Sequence, residues 1–95
     1  MSEALTNGVV DNAAEGRFEL TERDLVAVAD YRVQEGRMIL PHVEAPPALR
    51  GTGAAGRLME GVLDAARRRG LKIVPLCPYA DAYLRRNPKH EDLRA

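Results

Sequence analysis

The chain has 95 residues, enough for one small domain with a single modest core, because folding at this size removes only about 60 to 65 percent of the unfolded chain's surface from water. Lysine and arginine total 14, aspartate and glutamate total 14, so no net field draws the protein toward nucleic acid or anionic lipid. A single cysteine, Cys77, excludes an internal disulfide or a cysteine-based zinc cluster and fits a reducing compartment. No stretch approaches the roughly 20 apolar residues that span a bilayer, and the first residues lack the basic start and apolar run of an export signal. A soluble, cytoplasmic protein without nucleic-acid or membrane partners is expected.

Residues 1–14 show neither helical nor alternating apolar periodicity, which predicts a loose tail with at most one strand-like piece at residues 8–11. The domain proper is expected over residues 15–93. Residues 17–20 alternate, residues 21–23 read as a turn, and residues 24–33 alternate again, with Leu25, Ala27, Ala29, Tyr31 and Val33 on one face. Gln34-Glu35-Gly36 supplies a turn into a third strand over residues 37–44. Pro41 removes a ladder donor inside that strand, so a bulge or a lost neighbour is expected at Pro41-His42, with the sheet opening there.

After the breaker Ala45-Pro46-Pro47, residues 53–69 carry Ala55, Leu58, Met59, Val62, Leu63 and Ala66 at helical spacing. Asp64 and Arg68 are one turn apart, and Gly70 suits the position just past the helix end. Residues 71–76 read as a short buried strand, parallel to the third because a helix separates them. A second helix over residues 78–86 starts with proline at its first position and stops before Asn87-Pro88. The fold class is therefore mixed α/β (α+β): antiparallel strands, one parallel strand-helix-strand unit, and a C-terminal helix.

Between strand and helix lies Arg50-Gly51-Thr52-Gly53-Ala54-Ala55-Gly56. A helix N-terminus offers unpaired amides and partial positive charge; glycines let backbone approach a phosphate closely, and Arg50 can add a charged contact. Gly51-x-Gly53-x-x-Gly56 also has the dinucleotide spacing. In that motif, however, the helix follows the strand directly and an acid ends the next strand, whereas here a proline-rich loop intervenes and the next strand ends at Leu76-Cys77. The nucleoside triphosphate loop needs Gly-Lys-Ser/Thr, which is missing. A purely structural tight turn is the remaining alternative.

The stretch Arg50-Gly51-Thr52-Gly53-Ala54-Ala55 resembles the Arg/Gln-x-x-Gly-x-Gly/Ala motif of the GNAT N-acetyltransferase superfamily. His42-Val43-Glu44, Ala66-Arg67, Gly70-Leu71-Lys72, Val74-Pro75-Leu76-Cys77-Pro78-Tyr79 and Tyr83-Leu84 extend the likeness to its minimal YjdJ-like branch, over almost everything from Phe18 to Leu93. That resemblance implies acetyl-CoA as cosubstrate and an amine acceptor. It puts the CoA pyrophosphate on the amides around Gly51, Gly53 and Ala55, within the set Arg50, Gly51, Thr52, Gly53, Ala54 and Ala55. Val43 and Glu44 would lie along the pantetheine and acetyl group, with Cys77 and Tyr83 completing the cofactor site. Members of this branch lack the helices that wall the acceptor pocket in larger relatives.

Acyl transfer to an amine needs a proton acceptor, carbonyl polarisation and a stabilised leaving thiolate. His42 can take a proton directly or through water, and Glu44 can do so at the strand end; a surface or structural role is the competing reading for each. Cys77 occupies a helix cap position, where the helix dipole favours thiolate, and it belongs to the branch's Cys-Pro-Tyr motif, so an acetyl-cysteine route competes with direct attack. Larger relatives use a tyrosine on this last helix to protonate the thiolate, which designates Tyr83, or Tyr79. His90 is assigned no role, and no metal site is expected. A CoA-binding module without efficient catalysis and a protein interaction adaptor are the alternatives, with the chain a monomer or weak homodimer.

Overall fold

The computed structural model describes residues 5–95. Five strands form one sheet in sequential order: β1 (Val10–Asn12), β2 (Arg17–Glu22), β3 (Leu25–Gln34), β4 (Arg37–Glu44) and β5 (Lys72–Pro75). The first four are antiparallel to their neighbours and β5 is parallel to β4. Helix α1 (Ala54–Arg68) makes the crossover, and α2 (Pro78–Arg86) follows β5. This is the expected mixed architecture. The turn between β2 and β3 is tighter than the expected 21–23 turn, passing through Arg23 and Asp24 with φ of 54° and 61°.

Alternation along the strands decides which face is dry. Phe18, Leu20, Ala27, Ala29, Met38, Leu40 and Ile73 point to one side and are buried. They pack against Leu58, Met59, Val62, Leu63 and Ala66 of α1, the helical stripe read from the sequence. Gly70, with φ of 68°, ends α1: its N–H donates to the Arg67 carbonyl and the Leu71 N–H to the Ala66 carbonyl, at 3.3 and 2.9 Å. This double closure satisfies carbonyls that a helix end leaves open.

Residues 5–14 differ from the loose tail expected of them; residues 1–4 lie outside the described region. Leu5 and Val9 are buried in the common core, and β1 pairs with β2 at the register Val10↔Glu19. Gly61 makes this possible, because a Cβ there would lie 2.3 Å from Val9 Cγ2. Asp64 accepts both the N–H and the hydroxyl of Thr6 at 3.1 Å, while also pairing with Arg68. Sequence periodicity missed the docking because its anchors are two isolated apolar residues matched to a gap on a distant helix.

The feature that shapes the functional region is in β4. Pairing with β3 passes from Asp30↔His42 to Arg32↔Ile39, so Leu40 and Pro41 together face Tyr31 alone. This is a bulge at the proline, as its missing donor predicts. On its other edge β4 pairs with β5 only from Arg37 to Leu40, whose carbonyl then accepts from the Cys77 N–H at 3.0 Å. Beyond that point the two strands part, and among the described residues no strand pairs with residues 41–44 on the β5 side.

Candidate functional site

A cleft of about 580 Å³ opens where β4 and β5 separate, between His42-Val43-Glu44-Ala45 and the start of α1. Its far wall is the loop that carries the glycines. Leu49, buried at the end of a short 3-10 turn, pins this loop to the protein. The Thr52 hydroxyl donates to the Leu49 carbonyl at 2.5 Å and accepts the Ala54 N–H at 3.3 Å, bracing the turn from inside. Gly51 and Gly53 take φ of 79° and 88°, a region L side chains rarely occupy.

The consequence is a set of unused donors. Among the described residues, the N–H groups of Gly51, Gly53, Ala55 and Gly56 make no backbone hydrogen bond, and the Gly53 cap has no side-chain partner. These amides stand at the positive end of α1, against the cleft that Arg50, Gly51, Gly53, Ala54, Ala55 and Gly56 line. A phosphate fits such a cradle: a concave backbone, no side chain in the way at Gly51, and several donors without acceptors.

Of the other expected site residues, His42, Val43 and Glu44 line the cleft. Val43 turns inward and is buried; His42 and Glu44 are exposed, with Nε2 and Oε2 3.8 Å apart. Thr52 contributes through the turn and does not line the cleft. Cys77 caps α2 and is only 6% exposed, packed in the core cluster outside the lining. Tyr83 is also outside the lining, and its hydroxyl donates a hydrogen bond to the Glu60 carboxylate of α1. Burial first, then the Glu60 carboxylate, drives the Tyr83 phenol far above its ordinary value.

Tyr79 is the tyrosine that lines the cleft, and its hydroxyl lies 4.0 Å from where a Gly56 Cβ would be. Its phenol is raised as well, chiefly by burial, so it is a protonated donor at neutral pH. Helical spacing puts Tyr79 and Tyr83 on one face and cannot say which reaches the cleft; Glu60 decides by capturing Tyr83. The carboxyl of Glu60 is pushed up by burial, but hydrogen bonds from Tyr83 and His90 and the charge of Lys89 outweigh this and hold it below its ordinary value. His90, given no role from sequence, contacts Glu60 through Nε2 at 3.1 Å and ties the C-terminal segment to α1. Also missed was Arg57, paired with Glu22 and bonded to the Thr52 carbonyl; only three-dimensional proximity connects it with the glycines.

Among the described residues no cluster of three His, Cys, Asp or Glu side chains could hold a metal, and no helix is long and apolar enough to cross a membrane. A single mixed sheet packed against helices, splayed beside a glycine-rich helix start, defines the class of fold and site. The family model of the GCN5-related N-acetyl-transferases matches residues 17–93, and the chain belongs to that family. The solution structure of a GCN5-like protein from Staphylococcus aureus shares the fold, with a TM-score of 0.67 at 22% identity over 95% of this chain and 89% of that one. A search of curated proteins finds no match.

Proposed function

We propose that this chain is an acetyl-CoA-dependent N-acetyltransferase of the minimal YjdJ-like kind. The observation that carries the reading is the pairing of four unused amides with a strand whose edge is exposed beside them. The amides of Gly51, Gly53, Ala55 and Gly56 receive the pyrophosphate, with Arg50 adding charge. The released edge of β4 at Val43 and Glu44 hydrogen-bonds the pantetheine arm, much as a further strand would. Bound acetyl-CoA supplies an activated acyl carbon held at that edge.

The residues divide the proton work. An amine entering the open side attacks the acyl carbon, forming the C–N bond as the C–S bond breaks. His42 takes the amine's proton, directly or through water, with the Glu44 carboxylate 3.8 Å from its Nε2. Tyr79 gives its proton to the departing sulfur and is recharged from solvent. Direct attack is favoured over an acetyl-cysteine because Cys77 is packed in the core.

Two measurements test this. Calorimetric titration with acetyl-CoA should show binding, and its absence would remove the cradle reading. Mass spectrometry of Cys77→Ala with acetyl-CoA and a mixed pool of amines should show wild-type turnover; loss of turnover in a folded variant would restore the acetyl-cysteine route.

A further inference from the structure

The cradle amides belong to a loop with two left-handed glycines, and such a loop is soft unless something outside it sets its orientation. The outside contact is Arg57. Its Nε and Nη2 donate to the two Glu22 carboxylate oxygens of β2 at 2.7 Å each, and Nη2 also donates to the Thr52 carbonyl at 3.1 Å. The guanidinium lies beneath Gly53, with Nη1 2.8 Å from where a Cβ would stand. It therefore occupies the space that glycine leaves and holds the Thr52-Gly53 peptide by its oxygen. Fixing that oxygen on the guanidinium turns the same peptide's N–H, that of Gly53, the opposite way. A forked, planar cation suits this task, because two donors on Glu22 leave the guanidinium no freedom to rotate.

We propose that Glu22 and Arg57 are positioning residues for the phosphate cradle: the ion pair locks the Thr52-Gly53 peptide so that the loop amides converge on the pyrophosphate before it arrives. This rests on the acetyl-CoA reading above. Preorganisation of this kind lowers the ordering cost of binding, and its loss acts on the phosphate-bearing part of the ligand alone.

The test compares two acyl donors on the full chain by calorimetry: acetyl-CoA, and S-acetylpantetheine, which has no pyrophosphate. Arg57→Met keeps the stem and removes the fork; Arg57→Lys keeps the charge and removes the second donor; Glu22→Gln leaves the guanidinium with a weaker anchor. Losing aligned hydrogen bonds to a charged group predicts acetyl-CoA binding weakened about tenfold or more for Arg57→Met, less for Glu22→Gln, with Arg57→Lys between wild type and Met. Binding of S-acetylpantetheine should change by less than about twofold on the same physical ground. Amide exchange of the unliganded Arg57→Met protein should accelerate at Thr52 and Ala54, whose N–H groups are hydrogen-bonded within the turn, and be unchanged at Met38. Equal losses for both donors, or wild-type acetyl-CoA affinity in Arg57→Met, would overturn the positioning role while leaving the cradle intact. A wild-type chain that binds neither donor would remove the acetyl-CoA reading and this inference with it.

Discussion

Replacing Gly61 with alanine tests the docking of residues 5–9 and sets two opposed effects against each other. In an ordinary helix interior the change stabilises by about 1 kcal/mol, since alanine is the better helix former. Here the added Cβ would fall 2.3 and 2.4 Å from Val9 Cγ2 and Cβ and 2.8 Å from the Thr6 carbonyl oxygen, none of which is the loose end of a flexible side chain. If the segment stays, overpacking costs about 1–3 kcal/mol. If it lifts away, the core loses Leu5 and Val9, each worth about 1.5–3 kcal/mol when fully buried, together with both Thr6 bonds to Asp64. Set against the helix gain, the net loss is about 0–2 kcal/mol if the segment stays and about 2–5 kcal/mol if it lifts away, so a loss of about 1–2 kcal/mol and a fall in Tm of roughly 4–16 °C are expected for a domain of this size. Gly56→Ala is the internal control in the same helix: its Cβ meets Tyr83 at 3.6 Å, ordinary contact, so its Tm should hold or rise. Thermal melts of both variants, with amide exchange at Val9 and Val10, decide the matter. If both substitutions moved Tm the same way, the explanation of why residues 5–9 are ordered would be refuted.

Gly53→Val should keep its far-ultraviolet spectrum yet lose most of the stabilisation that acetyl-CoA gives wild type, about 2.7 kcal/mol at a hundredfold excess over Kd; the left-handed φ and the displaced Arg57 are the causes, and an unchanged ligand-induced Tm shift would count against the cradle. Tyr79→Phe should lower kcat with little change in KM for acetyl-CoA, whereas Tyr83→Phe should mainly lower Tm by releasing Glu60; the reverse pattern would return the donor role to Tyr83. Because the folded Glu60 carboxyl lies below its ordinary value of 4.5, its contribution to stability is complete above that pH and is lost as pH falls through the folded value. Glu60→Gln should therefore be less stable than wild type at neutral pH, and the gap in urea midpoint should narrow below about pH 4. A gap that stayed constant would show that Glu60 acts without its charge.

Local signals made most of this fold legible. Alternation in β2 to β4, the apolar stripe of α1, Gly70 beyond its end and Pro78 opening α2 each act through backbone geometry a few residues wide, so composition and spacing suffice to find them. The glycine turn and Pro41 were legible for the same reason, and they mark the loop and the bulge on either side of the cleft. The sequence alone also yields the family, since the matched residues run through nearly the whole domain.

Tertiary structure decided what depends on partners far apart in the chain. Leu5 and Val9 look like stray apolar residues until Gly61, more than fifty positions on, leaves room for them. Tyr79 and Tyr83 are one helical turn apart and equivalent by spacing, and only Glu60 on another helix takes Tyr83 out of the cleft. Arg57 reads as one more charge on the polar face of a helix; packing against β2 brings it under Gly53 and onto Glu22. In each case the local pattern chooses the element and its dry face, because those follow from backbone period and side-chain polarity. Which side chain does the chemistry follows from long-range approach, and that distance is known only once the helices are laid on the sheet.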